Sequence, residues 1–458
     1  MAQDKNKKVY INDIDDIEKL IDPGQNASAI PERAKIHSDL NAKNANIPML
    51  LMVIFMIVFG LVILYSVSGP DAYGLYHDSA HFLKRQIIQT LIGIAAMLVI
   101  MFIPIKVFQL RVVMVAAYGL SLALAVWTLA VGVGSEHGAT RWVNIGPIQF
   151  QSSEVIKVAL IVAFANYRSR VDKLRREGKI PMPKSKSWRS VACALVDLVF
   201  PAAMIIIVDI IVIMQPHVSC FIIIGVVIFL SALVSEIPLR SWITGVVMML
   251  AVALFLGGIV FAVMPTETRD KLMKNYAHVF KRIAIYTQSG DEDEESNTNL
   301  TKDDTRQIDN AHNALGSGGM WGVGLGNSRS KYNYVAEAQN DYIFSIYIEE
   351  TGFVGGLILM ALYMVMFVMC VRVILRADGV FTRTVATGCT ALIFVEVLMN
   401  ISVELQFIPA TGVTLPFMSY GGTAQIMLLV AYGLILSVSK YGKRYQEDKS
   451  NRISKKAA

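Results

Sequence analysis

Residues 47–67 read IPMLLMVIFMIVFGLVILYSV, an apolar run without a charged side chain. An α-helix needs about 20 such residues to cross the hydrocarbon core of a bilayer, so this stretch predicts a membrane-spanning helix. Similar runs recur along most of the chain. The fourth is short and opens on polar residues, which makes it the least regular. The predicted spans are 47–67, 86–104, 112–133, 153–168, 190–213, 218–236, 241–263, 341–371, 383–407 and 417–439.

The composition agrees with an all-α integral membrane protein of about ten transmembrane helices. Of the 458 residues, 54% are hydrophobic and 17% are charged, whereas soluble proteins carry about 25% charged residues. Lipid therefore solvates much of the surface. The first apolar run follows a polar segment, residues 1–46, that is too long for the basic region of a signal peptide. The cysteines all lie in apolar stretches, with neither metal-ligand nor disulfide spacing: Cys193, Cys220, Cys370 and Cys389.

The basic residues predict the orientation. Short loops rich in Lys and Arg stay in the cytoplasm, and the link at 168–189 carries nine of them. Every second loop from there is also basic, whereas 214–217 and 408–416 contain no Lys or Arg. We therefore expect both termini in the cytoplasm and no nucleic-acid partner. The predicted organisation is a polar tail at 1–46, a membrane domain at 47–440 and a basic tail at 441–458.

A long connection at 264–340 separates the seventh and eighth predicted spans and lies outside by alternation. It contains the acidic run 291–295 and a glycine-rich stretch before it enters the eighth span. A loop of this length carries function or is disordered. We expect disorder around the acidic run, order on either side, and the chemistry of the protein at this loop and the helix edges around it.

One polar segment, GATRWVNIGP at 138–147, leads into QSSEVIK at 151–157 and the fourth span. Glu154 and Lys157 are three residues apart, so they share a helix face and can pair. An ion pair at membrane depth is costly and is a functional hypothesis by default. A structural pair at the interface, with Trp142 as an anchor in the aromatic belt, is the alternative.

Two segments are rich in glycine. Backbone N–H groups of the stretch 316–326, with Gly316, Gly318 and Gly319, could cradle a phosphate. The strand and helix of a nucleotide-binding motif are missing, so a flexible turn is favoured. The second segment, LPFMSYGGT at 415–423, lies at the mouth of the tenth span, and its proline and glycines allow a kink or a close backbone approach. Its structural residues are Pro416, Gly421 and Gly422.

Asp341 lies where the long loop enters the eighth span. A carboxylate is favoured at a helix N-terminus, so an N-cap is one interpretation. If apolar surroundings desolvate the group, its pKa rises, which suits a general base. Glu349 lies about 12 Å further along the helix, and Glu350 is on the opposite face. Neither can share a proton with Asp341, which argues against a two-carboxylate hydrolase site.

Taken together, these segments resemble the SEDS family of shape, elongation, division and sporulation proteins over about residues 50–440. The most specific matches are PFMSYGG at 416–422 and DYIF at 341–344, followed by Glu349 and Glu350. The stretch 324–331, with Tyr334 and Glu337, is more similar to the FtsW and SpoVE branch than to RodA. The resemblance implies a fold of ten spans and residence in the bacterial cytoplasmic membrane.

The resemblance also implies a function: a peptidoglycan glycosyltransferase that polymerises lipid II at the outer face of the membrane, for division or sporulation. Asp341 matches the catalytic aspartate and would take the proton of the acceptor sugar's 4-hydroxyl. That oxygen would attack the anomeric carbon of the donor chain and expel undecaprenyl pyrophosphate, which needs cationic partners. The substrate-binding residues implied are Arg85, Arg141, Glu154, Lys157 and Ser419.

The implied partners are lipid II, the nascent glycan chain on undecaprenyl pyrophosphate, a class B penicillin-binding protein and other divisome proteins. A divalent metal ion, Mg²⁺ or Mn²⁺, would assist the leaving group, but the sequence shows no ligand set for it.

The chain departs from the family pattern in several places. Ser152 stands where a proline is usual, and His217 replaces an acid. Beyond Asn400 the family has small residues, whereas Ser402, Glu404 and Gln406 occur here. A second hypothesis, a lipid II flippase, draws on Asp209 and Glu396, two carboxylates at membrane depth. A third hypothesis, a non-catalytic divisome scaffold, is favoured by the departures at Ser152 and His217.

Overall fold

The computed structural model describes residues 46–134, 140–145, 148–180, 183, 185–215, 217–263, 302–332 and 338–457. The acidic run at 291–295, and all of the predicted N-terminal tail except Asn46, lie outside these residues. Most of the described chain is helical, as the apolar runs predict.

The elements are labelled here in chain order. The helices are α1 (Ile47–Tyr76), α2 (His81–Phe102), α3 (Arg111–Val131), α4 (Ser152–Arg176), α5 (Lys186–Ala194), α6 (Phe200–Ile213), α7 (Val218–Leu233), α8 (Leu239–Val263), α9 (Lys302–Ser317), α10 (Ile343–Arg376), α11 (Val380–Glu404) and α12 (Gly422–Ala457). A 3₁₀ turn, Ile105–Gln109, precedes α3, and a π-helical turn, Leu195–Val199, joins α5 to α6. The strands are β1 (Val133–Gly134), β2 (Thr140–Ile145) and β3 (Ile148–Phe150).

The predicted set of about ten membrane spans is confirmed. In the described part of the chain, seven helical segments are long and apolar enough to cross a bilayer. Two shorter apolar helices, Val218–Leu233 and Leu239–Val252, add to them. The remaining span is α4, which is longer than the predicted 153–168 and begins at Ser152 without the usual proline.

Helix α4 carries charge because it lies inside the bundle rather than against lipid. It contacts α3, α7 and α11, and Ile156, Leu160 and Ile161 are almost completely buried. Glu154 and Lys157 are buried among them. Charged side chains at membrane depth face the protein interior, which explains why this span is the least apolar.

The polar segment between α3 and α4 contains a small antiparallel sheet with strand order β1-β2-β3, which the sequence did not suggest. Val133 pairs with Trp142 across β1 and β2. Val143 pairs with Phe150 across β2 and β3. The sheet lies between the end of α3 and the start of α4 in the chain.

The glycine-rich stretch is not the flexible turn that its composition suggests, because it packs against a break in α10. Gly352 has non-helical angles, φ 74 and ψ −176, and such a break frees N–H groups. Phe353 and Val354 donate instead to the carbonyls of Gly319 and Met320, at 2.9 and 3.2 Å. The glycine-rich turn therefore supplies hydrogen-bond acceptors for N–H groups that the break in α10 leaves without helical partners.

Basic residues at the ends of several helices lie together at one end of the helix bundle. A cavity of about 980 Å³ is lined there by Lys106 of the 3₁₀ turn, Lys173 and Arg176 of α4, and Arg383 of α11, together with acidic side chains. Nearby, the carboxylate of Asp197 accepts hydrogen bonds from Arg168 and Arg175. The clustering agrees with the predicted cytoplasmic side, and the orientation of the termini stays a prediction.

Two helices extend into the segments predicted as the long loop and the C-terminal tail, and the domain boundaries themselves stay a prediction. Helix α9 occupies part of the long loop predicted at 264–340, and α12 continues as a helix to Ala457, past the predicted end of the membrane domain at 440.

Candidate active site

The segments singled out in the sequence meet at the end of the bundle where α2, α4, α10 and α12 begin. Gln86 on α2 is 2% exposed. Its Nε2 donates to the carbonyl of Ser419 at 3.4 Å, and its Oε1 accepts from the backbone N–H of Gly421 at 3.3 Å. One amide side chain therefore holds the backbone on both sides of Tyr420.

Two further segments, the approach to α10 and the start of α4, also bind the motif at 415–423. The N–H of Tyr420 donates to the carbonyl of Gln339 at 2.8 Å, which ties the motif to the approach to α10. The N–H of Gln151 donates to Oγ1 of Thr423 at 3.3 Å, which ties it to the start of α4. Residues 415–423 are thus the hub that three distant parts of the chain contact.

Asp341 lies on the turn before α10, next to this hub, and is half-buried. Nδ2 of Asn400 donates to the backbone carbonyls of Asp341 and Val413, both at 2.9 Å. The Asp341 carboxylate faces the connection between α11 and α12. If Gly412 in that connection carried a Cβ, this carbon would lie 3.5 Å from Oδ2 of Asp341. The backbone of Asp341 is therefore held beside this connection.

Glu404, the last residue of α11, binds the first turn of α10. Its Oε1 accepts from the N–H of Phe344 at 3.3 Å, and its Oε2 from the hydroxyl of Ser345 at 2.6 Å. Oε2 also accepts from the N–H of Ser345 at 2.5 Å. The first N–H groups of a helix have no partner within it, so this carboxylate caps α10.

Lys157 is the centre of a buried charged cluster. Its Nζ lies 2.8 Å from Oε2 of Glu154, which confirms the predicted pair. It also bonds to Oε1 of Glu396 on α11, a partner that the sequence did not reveal. Two carboxylates face one ammonium group at a site with almost no solvent exposure.

One face of α11 connects this cluster to Asp341. Glu396, Asn400 and Glu404 are spaced four residues apart, so they lie one above another on the helix surface, about 6 Å apart along its axis. They contact in turn Lys157, the backbone of Asp341, and the first turn of α10. We call these three residues the α11 polar stripe.

Glu349 and Glu350 have partners away from Asp341, as their spacing predicts. Glu349 accepts from the hydroxyl of Ser328 at 2.6 Å. Glu350 lies 2.8 Å from Nζ of Lys331 and accepts from the hydroxyl of Ser66 at 2.6 Å. Both carboxylates therefore fasten the segment after the glycine-rich turn to the bundle.

The remaining predicted substrate-binding residues are Arg85, Arg141 and Ser419. Arg85 is exposed, one position before Gln86. The preceding residue, Lys84, donates from its Nζ to Oδ2 of Asp78 at 2.7 Å. This hydrogen bond holds the pKa of the Asp78 carboxyl below its ordinary value. Arg141 lies on β2, and only its backbone is described. Ser419 is buried, with its Oγ accepting from the N–H of Leu415 at 2.9 Å, so its hydroxyl serves the backbone of the motif.

Among the predicted structural glycines, Gly318 has the clearest steric requirement. A Cβ on it would lie 2.3 Å from the carbonyl oxygen of Ile348. Gly316 faces open space, so the structure gives no steric reason for a glycine there. Gly421 meets only ordinary contacts, and Gly422 lies against the flexible end of Gln89.

A family model described as "Cell cycle protein", covering FtsW, RodA and SpoVE, matches residues 47–444. The chain belongs to this family. It is 31% identical over 402 residues to stage V sporulation protein E of Bacillus subtilis strain 168, covering 86% of this chain and 98% of that protein. A probable peptidoglycan glycosyltransferase FtsW of Trichlorobacter lovleyi is 29% identical over 392 residues, covering 85% and 92%.

Solved structures of the family share the fold. A chain of a peptidoglycan synthase complex, studied for the structural coordination of polymerization and crosslinking, superposes with a TM-score of 0.62 at 23% identity. It covers 88% of this chain and 99% of that one. The rod shape determining protein RodA of Thermus thermophilus gives a TM-score of 0.57 at 22% identity, covering 88% and 99%.

Two departures from the family pattern lie near the site. His217 is buried at the N-terminus of α7. Two residues later, Ser219 donates to the carbonyl of Thr411 at 2.6 Å, in the connection that faces Asp341. Glu404, which the resemblance predicts to be a departure, caps the first turn of α10. Neither departure removes Asp341 from the site.

The described residues do not form a recognisable metal centre. No group of three or more His, Cys, Asp or Glu side chains in this part of the chain is placed to hold an ion. The divalent metal stays a prediction, and no step below depends on it.

Proposed function

We propose that this FtsW- or SpoVE-like chain is a peptidoglycan glycosyltransferase that polymerises lipid II, with Asp341 as the general base. The observation that carries the proposal is the placement of Asp341. The residue is half-buried, its backbone is held by Asn400, and it lies beside the 415–423 hub that gathers the family's motifs. Membership of the family supports the reaction class.

In the proposed reaction, Asp341 accepts the proton of the acceptor sugar's 4-hydroxyl as that oxygen attacks the donor's anomeric carbon. The new glycosidic bond forms as the bond to undecaprenyl pyrophosphate breaks. The proton then passes from Asp341 to water, and the pyrophosphate leaves with the bond electrons. A positioned general base contributes about 10²–10⁴-fold to a rate, and a held backbone keeps the base in place.

The leaving pyrophosphate needs cations, and the candidates are Arg85, Arg141 and Lys157. Arg85 is exposed and one residue from the hub contact of Gln86, so it is free to reach a ligand. Arg141 lies on the strand that leads toward α4. Lys157 is already paired with Glu154 and Glu396. We therefore assign Lys157 a supporting role and propose that Arg85 and Arg141 bind the pyrophosphate.

A class B penicillin-binding protein and other divisome proteins are the proposed partners. A family structure taken from a peptidoglycan synthase complex supports such an assembly. In this arrangement the present chain supplies glycan strands, and the partner cross-links them.

The test is lipid II polymerisation by the purified chain with its partner, comparing wild type, Asp341→Asn and Asp378→Asn. The control makes the same chemical change in the cavity at the opposite end of the bundle. We expect Asp341→Asn to lose at least about 100-fold in rate with unchanged thermal stability, and the control to be normal. Polymerisation at the wild-type rate by Asp341→Asn would show that the base assignment is wrong.

A lipid II flippase is the second candidate, and one observation favours it. Asp209 on α6 is 3% exposed, and its Oδ1 has no hydrogen-bond partner within the described residues. Carboxylates at membrane depth mark transport pathways in many proteins. Liposomes that translocate lipid II with the Asp341→Asn variant, and do so less well with Asp209→Asn, would favour transport over polymerisation.

A further inference from the structure

We propose that Glu404 is a positioning residue for the glycosyl transfer, because its carboxylate holds the first turn of α10 and with it the backbone that carries Asp341. The proposal rests on the proposed role of Asp341 as the base. It gives a function to a buried carboxylate that the proposed reaction does not itself use.

The first observation is the number and kind of bonds that Glu404 makes. Its two oxygens accept from two backbone N–H groups and one hydroxyl, all on Phe344 and Ser345. Tyr342, at the N-cap of α10, makes no side-chain capping bond. A carboxylate at a helix N-terminus is also stabilised by the helix dipole. Glu404 thus replaces the missing local cap from another helix.

The second observation is that α11 holds the backbone at Asp341 and again just after it. Asn400 binds the carbonyl of Asp341, and Glu404 binds the residues three and four positions later. Asn400 and Glu404 are one turn apart on the same face of one helix. One face of α11 therefore sets the path of the backbone from Asp341 to the first turn of α10.

Loss of Glu404 should loosen this path rather than remove a chemical group. Buried N–H groups without partners are unfavourable, so the first turn of α10 would unwind to reach water. A displacement of about 1 Å at a reacting group costs on the order of 100-fold in rate. Substrate binding draws on many contacts and should change much less.

The experiment compares Glu404→Leu, Glu404→Gln and Ser402→Ala in lipid II polymerisation, with kcat and KM determined separately. Ser402 is the matched control, two positions away and one of the three atypical residues in this turn. We expect kcat to fall about 100-fold for the Leu variant, with KM within about twofold. The Gln variant keeps only one of the two acceptor oxygens and should recover part of the loss, and the control should be normal.

A second measurement tests the inference even if the Glu404→Leu variant fails to fold. Amide hydrogen exchange of the peptide 342–349 should be faster in Glu404→Gln than in wild type, whereas Ser402→Ala leaves it unchanged. Normal kcat in both Glu404 variants, or unchanged exchange in Glu404→Gln, would overturn the inference and leave the role of Asp341 intact. An active Asp341→Asn variant, in contrast, would refute the proposed function itself.

Discussion

Removal of Lys157 should be among the most damaging single changes in the membrane interior. In Lys157→Met, Glu154 and Glu396 lose the ammonium group that lies between them, at a site where the side chains are 2–10% exposed. Breaking a buried ion pair costs about 3–5 kcal/mol, because a charge stays buried without its partner.

A second argument gives a similar magnitude. The protein can limit the cost by protonating one of the two carboxylates. An isolated glutamate has a pKa of about 4.3, so protonating it at pH 7 costs about 3.7 kcal/mol. Both routes therefore predict a loss of about 3–5 kcal/mol in the free energy of unfolding.

The assay is reversible unfolding in mixed micelles, with Lys173→Met as the matched control. Lys173 is on the same helix and faces Glu177 at 3.9 Å, but its side chain is 77% exposed. Such a surface pair contributes about 0.5 kcal/mol or less. The triple variant Lys157→Met, Glu154→Gln, Glu396→Gln should recover most of the stability, because no unpaired charge is left. The reasoning is refuted if Lys157→Met costs no more than Lys173→Met.

Two further predictions concern glycines, each measured as unfolding free energy in the same micelles. Gly60→Ala on α1 should destabilise by about 1–3 kcal/mol or more, because the new Cβ would lie 2.0 Å from the carbonyl oxygen of Phe417. Gly69→Ala on the same helix meets nothing within 4 Å and should be neutral or slightly stabilising; equal effects would contradict the packing argument. Gly322→Ala should also destabilise, since its φ is +76 and its Cβ would lie 2.2 Å from a carbonyl oxygen of α10. Gly316→Ala, with open space around it, is the control, and a loss there as large as at Gly322 would argue against the packed turn.

Much of the architecture follows from the sequence because membrane insertion is decided locally. An apolar run such as 47–67 crosses the bilayer whatever lies beside it, since only a helix satisfies its backbone groups in lipid. The pair of Glu154 and Lys157 was also predictable, because a spacing of three residues puts two side chains on one helix face. Asp341 was singled out by its place before α10 and by resemblance, and its catalytic role stays a prediction.

The remaining features of the site depend on contacts between segments that are far apart in the chain. Glu396 completes the Lys157 cluster from 239 positions away, and Glu404 caps a helix that begins about 60 positions earlier in the sequence. The glycine-rich stretch looks flexible by composition, yet it packs on the break at Gly352. The sequence alone determined which segments enter the membrane, because burial in lipid depends on each segment's own hydropathy. Only the tertiary structure decided which polar groups meet inside the bundle, because those partners depend on how the helices pack against one another.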